Sequence, residues 1–153
     1  MDSLKLHQLI NYYPAIGMVL VAIVLAVGLV RSNGGISLFA LRLMVFVALL
    51  TVIVVFTGEF ASWDPTARTA AAGEALSGHK LMGTAAFAVT TLAGIAAFTA
   101  IRRTRHGGRN GRWALMAAFA LSVAASVLLT TTVFRGRQVK WASAQLDDRP
   151  MVL

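Results

Sequence analysis

The chain has 153 residues, of which 58% are hydrophobic and only 13% are charged, whereas soluble domains carry about 25% charged residues. The formal net charge is +8, but the basic residues lie in short segments between apolar stretches, a pattern that sets the orientation of membrane proteins and excludes nucleic acid as the expected partner. The chain contains no cysteine, which excludes disulfides, thiolate nucleophiles, iron–sulfur ligation and thioether-linked haem.

Four apolar stretches organise the chain. Each holds about 20 residues, enough to cross a hydrocarbon core about 30 Å thick. They predict an all-α, polytopic membrane protein in which residues 1–153 form one domain, a bundle of four transmembrane helices. The predicted spans are residues 10–30, 38–56, 81–101 and 113–134.

The segments between the stretches predict the orientation. The segments from Arg31 to Arg42 and from Arg102 to Arg112 together hold seven arginines and no acid. The other face has seven basic residues and all six acids, spread over the 57–80 loop and both tails. Because short loops dense in basic residues stay in the cytoplasm, we expect a bacterial inner-membrane protein with both termini on the exterior, periplasmic face.

Small residues predict which helix faces pack together, because lipid supplies no hydrophobic drive between helices. The second stretch is bulky and is expected to face lipid or a partner subunit over much of its surface. The small residues are Ala22 and Ala26 in the first stretch, Ala86, Thr90 and Gly94 in the third, and Ala114, Ala118, Ser122, Ser126 and Thr130 in the fourth.

A faint internal repeat relates the two halves. Each half begins with a histidine, His7 or His79, crosses the membrane twice and ends in Val-Phe-x-Gly, at residues 55–58 and 133–136. Two parallel helical hairpins related by an axis along the membrane normal would bring both histidines to one face, near that axis.

This end of the bundle is the candidate site, since ionisable groups clustered near a bilayer indicate function. Two neutral imidazoles, from His7 and His79, would make an axial pair for b-type haem, whose ligands need no cysteine. The second ring nitrogens are expected to donate to Thr57 or Glu59.

Basic residues at this end of the bundle are candidates for binding the haem propionates. Arg135 or Lys80 is expected to pair a haem propionate, and Tyr13 lies among the polar residues that the first helix contributes. Alternatively, His7, His79 and Glu59 hold a single transition-metal ion, or the histidines are interfacial polar residues without a ligand. A quinone or proton role for Glu59 is a further alternative, and His106 is interpreted as a solvated loop residue.

The segment from His7 to Pro14 resembles the N-terminal H-P-x-x-V-x-F-P signature of an uncharacterised family of bacterial four-span membrane proteins, a domain of unknown function. His7, Tyr13 and Pro14 align with it, Gly58 and Glu59 match the end of the family's second helix, and His79 matches the start of its third. The chain departs from the signature at Gln8, where the family has proline, and at Tyr12, where some members have a second histidine. Some relatives are joined to Rieske-type domains, which implies a redox setting.

Two functions are therefore expected. The first is a haem-b electron-transfer subunit of an inner-membrane redox complex, working with other subunits, and with a quinone or a periplasmic redox protein as a further partner. The second is a cofactor-free accessory subunit that packs its second helix and polar tail against a larger assembly. In neither case do we expect a self-sufficient enzyme.

Overall fold

A computed structural model describes residues 3–61, 70–104 and 110–147. Within these ranges the chain is almost entirely helical, and four of the helices are long and apolar enough to cross a membrane. This confirms the predicted all-α bundle of four candidate spans. The helices are α1 (Ser3–Ile10), α2 (Tyr12–Val30), α3 (Gly34–Ala61), α4 (Ala70–Thr104) and α5 (Asn110–Asp147).

The four long helices pack in chain order around a square. Helix α2 contacts α3 and α5, helix α4 also contacts α3 and α5, and α3 and α5 barely meet across one diagonal. Successive spans alternate in direction, so α2 and α4 run the same way and begin at the same end of the bundle. His7 and His79 both lie at that end, which we call the histidine end.

Proline explains why the first helix is broken. Pro14 has no N–H to bond the carbonyl of Ile10, and its ring crowds that carbonyl. The hydrogen-bond ladder is accordingly interrupted here, although Asn11 keeps helical backbone angles (φ −61°, ψ −23°) and its amide bonds the carbonyl of His7 at 3.0 Å. The short helix α1 then packs more extensively on α3 than on α2, which places His7 against the end of α3.

Helices α4 and α5 form the most extensive helix pair, and the residues they bury are small, as the sequence predicts. The side chains of these buried residues are at most 1% exposed, and alanines and hydroxyl residues let the two backbones approach closely. The buried set is Ala86, Thr90, Ala93, Ala97 and Ala100 on α4, with Ala118, Ser122 and Ala125 on α5.

Helix α2 buries larger residues than α4 and α5 do. Met18, Val21 and Leu25 are fully buried, whereas Ala22 and Ala26, which the sequence predicts as packing positions, are only partly buried. The alanines therefore lie at the edge of the buried face of α2 rather than at its centre.

Candidate histidine-pair site

His7 is seated on the end of α3. Its Nδ1 lies 3.3 Å from the Thr57 hydroxyl oxygen, and its ring covers Gly58. A Cβ at Gly58 would lie 2.8 Å from the His7 Cε1 atom, closer than side chains approach in real structures. The half-buried imidazole therefore occupies space that only glycine leaves open.

His79 is seated in the same way on α5. Its Nδ1 lies 3.0 Å from the Thr132 carbonyl oxygen, and a Cβ at Gly136 would lie 3.1 Å from its Cε1 atom. The amide nitrogen of the Asn11 side chain would be 3.8 Å from that same Cβ, so the junction between α1 and α2 approaches α5 here. Each histidine thus rests on the glycine that ends the Val-Phe-x-Gly of its own half.

The two glycine seats were not predicted as site residues. The repeated Val-Phe-x-Gly carried the signal, because a glycine at the same position in both halves suggests a shared requirement for space. Sequence alone did not show that Gly58 and Gly136 each face a histidine ring.

The hydrogen bonds fix the tautomer of both rings. The Thr132 carbonyl can only accept, so His79 carries its proton on Nδ1. The Thr57 hydroxyl donates its single hydrogen to the Val54 carbonyl at 2.9 Å, which leaves its oxygen to accept from His7 Nδ1. Both Nε2 atoms are therefore unprotonated, the form in which an imidazole binds a metal.

Burial and charge keep His7 neutral. Burial lowers the pKa of His7, and the positive charge that His79 would carry lowers it further. The effect of His79 on the pKa of His7 indicates that the two rings are within electrostatic reach of each other. Neutral imidazole is the ligand form at physiological pH.

An ion pair joins α3 and α4 at this end. Lys80 Nζ is 3.6 Å from Glu59 Oε1, and both side chains are largely exposed. Among the described residues, no three His, Cys, Asp or Glu side chains are close enough to share a metal ion. The three-ligand alternative of His7, His79 and Glu59 is therefore not assembled.

Arg135 and Tyr13 occupy different positions at the histidine end. A guanidinium nitrogen of Arg135 would lie 3.1 Å from a Cβ at Gly78, so this cation covers α4 beside His79. Tyr13 lies in the first turn of α2, and its side chain is 54% exposed. His106 lies outside the described residues.

Comparisons with profiles of known protein families, with curated proteins and with solved structures find no match for this chain. The site is therefore interpreted from its own geometry. That geometry defines a bundle of four candidate membrane spans with two half-buried imidazoles at one end, each held through its Nδ1 atom.

Proposed function

We propose that the chain is a haem-b-carrying electron-transfer subunit of a bacterial inner-membrane complex, with His7 and His79 as the axial ligands. The hydrogen-bond partner of each Nδ1 atom is the observation that supports this most directly. A helix group accepts the Nδ1 proton of each ring, and such a partner orients a ligating imidazole and raises its basicity.

The number of available ligands favours haem over a bare ion. Zinc sites take three or four protein ligands, and no such group occurs among the described residues. Two imidazoles complete the axial positions of haem iron, because the porphyrin supplies the other four nitrogens. A single transition-metal ion would need ligands from water or a partner chain.

The surrounding charges suit the haem propionates. Arg135 lies beside His79 across Gly78, whereas Lys80 already pairs with Glu59. We therefore assign the propionate contact to Arg135 in preference to Lys80. The chain's own residues would hold the macrocycle and keep the imidazoles neutral, and the haem would carry the electron between partner subunits and a quinone or a periplasmic redox protein.

A reduced-minus-oxidised absorption spectrum of the purified chain tests this function. We expect the α-band of a b-type haem in the wild type, its loss in His7→Ala and in His79→Ala, and its retention in His106→Ala. His106→Ala is the matched control, because it removes the third histidine of the chain. A wild type without the band, or a band that survives both single substitutions, refutes the proposal.

The second candidate is a cofactor-free accessory subunit. It is supported by the outer surface of α3, where Phe46, Leu49 and Phe56 are each more than 60% exposed. These side chains suit lipid tails or a neighbouring transmembrane helix. Co-purification with larger subunits in the absence of bound iron would favour this function, and a monodisperse, haem-loaded chain in detergent would oppose it.

A further inference from the structure

A second site lies at the opposite end of the bundle. A cavity of about 280 Å³ opens where α2, α3 and α5 meet, and the turn between α2 and α3 forms one of its walls. Its lining combines the polar residues Ser32, Asn33, Ser37 and Arg112 with the apolar Leu29 and Leu115. Arg31, which ends α2, and Arg102 and Arg103, in the last turn of α4, lie at this same end.

Two helix N-termini converge on the cavity. Helix α3 begins at Gly34 and α5 begins at Asn110, and Gly34 and Gly111 both line it. Each N-terminus carries a partial positive charge from the helix dipole. Their convergence makes this a favourable place for an anion.

The C-terminus of α2 lies at the same cavity, and two of its carbonyls are already hydrogen-bonded. The Ser32 amide bonds the Leu29 carbonyl and the Asn33 amide bonds the Gly28 carbonyl, the two bonds of a Schellman motif. Ser32 adopts the left-handed conformation that this motif requires, with φ 50°. The turn therefore occupies the carbonyls of Gly28 and Leu29.

Donors remain unused in the cavity. Asn33 satisfies the amides of Ile36 and Ser37, through its side chain and its carbonyl respectively. The amide of Gly34, in the first turn of α3, has no partner among the described residues. The hydroxyl of Ser37, a residue only 4% exposed, also has none there, and it lies over Gly28, where a Cβ would be 2.6 Å from its oxygen.

Arg112 supplies a full positive charge at the rim. It lines the cavity, and the one ion pair found among the described side chains, Lys80 with Glu59, is at the histidine end. From this arrangement we infer that the cavity binds the phosphate group of an anionic phospholipid. The phosphate accepts from Arg112, the Ser37 hydroxyl and the Gly34 amide.

The position of the cavity favours a lipid over free phosphate. It lies at the ends of the candidate spans, where lipid headgroups meet water. Leu29 and Leu115 give it an apolar wall, against which the glycerol and the first methylenes of an acyl chain pack. Neutral or zwitterionic headgroups would leave the positive charge of Arg112 and the two helix ends less well compensated.

Lipid binding to the full chain, purified in an uncharged detergent, tests this inference. Native mass spectrometry measures occupancy as phosphatidylglycerol, phosphatidylcholine or inorganic phosphate is added. We expect saturable binding of phosphatidylglycerol, weakened about tenfold or more by Arg112→Gln and about tenfold by Ser37→Ala, as for hydrogen bonds to a charged acceptor. The control is Arg103→Gln, an exposed arginine near the same end that does not line the cavity, and it should leave binding unchanged.

The outcomes distinguish a specific lipid-binding site from nonspecific electrostatic attraction. Equal affinity for phosphatidylglycerol and phosphatidylcholine overturns the inference, as does an Arg103→Gln effect equal to that of Arg112→Gln. Displacement of the lipid by inorganic phosphate at comparable concentration overturns the assignment to lipid. If Arg112→Gln does not fold, Ser37→Ala still tests the inference, because it removes only one hydroxyl group. Haem content plays no part in this measurement, so its result is independent of the proposed redox function.

Discussion

Adding one methyl group beneath His7 tests the glycine seat directly. In Gly58→Ala the new Cβ would lie 2.8 Å from Cε1, 3.2 Å from Nδ1 and 3.3 Å from Nε2 of His7. All three distances are short, so the ring has to move off α3. We expect the imidazole to lose its hydrogen bond to Thr57 and the variant to be less stable than the wild type.

The expected magnitude follows from three contributions. Overpacking costs about 1–3 kcal/mol, and the lost hydrogen bond costs about 0.5–1.5 kcal/mol net. Alanine is a better helix former than glycine and returns about 1 kcal/mol. The free energy of unfolding should therefore fall by about 0.5–3.5 kcal/mol in total. Gly136→Ala should cost less, because its Cβ would approach His79 only to 3.1 Å.

A double-mutant cycle identifies the cause. In the His7→Ala background the ring is gone, so Gly58→Ala should become stabilising, by up to about 1 kcal/mol. The measurement is reversible unfolding of the four proteins (wild type, both single variants and the double variant) in one detergent, without added haem. The coupling energy between the two sites should be larger than the error of the assay.

A particular result would refute this reasoning. If Gly58→Ala destabilises the protein equally with and without His7, the methyl group clashes with something other than the imidazole. His7 would then not be seated on Gly58, and the shared tautomer that supports the haem proposal would lose its structural basis.

Three further predictions concern stability and are checked by the same unfolding assay. Thr90→Val should stabilise the protein by about 1 kcal/mol, because its fully buried hydroxyl has no partner among the described residues, whereas Thr51→Val should not, because that hydroxyl bonds the Val47 carbonyl at 2.8 Å. Ser32→Gly should stabilise it by about 0.5–1 kcal/mol by relieving a left-handed residue with φ 50°. The haem-free protein should lose stability as pH falls through 6.5, the ordinary pKa of histidine, because the folded state lowers the pKa of His7 and the unfolded state then binds more protons. His7→Gln should flatten that dependence, and an unchanged slope would contradict it.

The fold was predictable because lipid restricts the choices. Apolar stretches of span length can only be helices in a bilayer, so composition and length determined the number of candidate spans. The helix ends were less predictable, because hydropathy ends where polar residues begin, whereas hydrogen bonding continues. Helix α3 extends to Ala61 and α4 begins at Ala70, both within the segment that hydropathy assigns to a loop.

The site was predictable only in part. Topology alone placed His7 and His79 at one end, because the first and third spans run in the same direction. The seats on Gly58 and Gly136 depend on how α1 packs across α3 and how α4 packs on α5, and a four-letter repeat does not specify those contacts. Glu59 was expected near the histidines from its position in the chain, and its carboxylate lies 3.6 Å from Nζ of Lys80, the residue that follows His79.

The two glycine seats are similar in shape, but the two histidines have different hydrogen-bond acceptors. His79 donates to a backbone carbonyl, which no substitution at Thr132 removes. His7 donates to a side-chain hydroxyl, and the Val54 carbonyl also lies within hydrogen-bonding reach of its ring, so Thr57→Val would weaken the hold on His7 alone. If the two imidazoles act as an axial pair, loss of Thr57 should loosen one ligand while the other stays fixed, and the haem spectrum should shift from a six-coordinate toward a five-coordinate form. If the histidines are structural, Thr57→Val should change stability by about 1 kcal/mol and nothing else, so this one substitution separates a ligand pair from a pair of packed side chains.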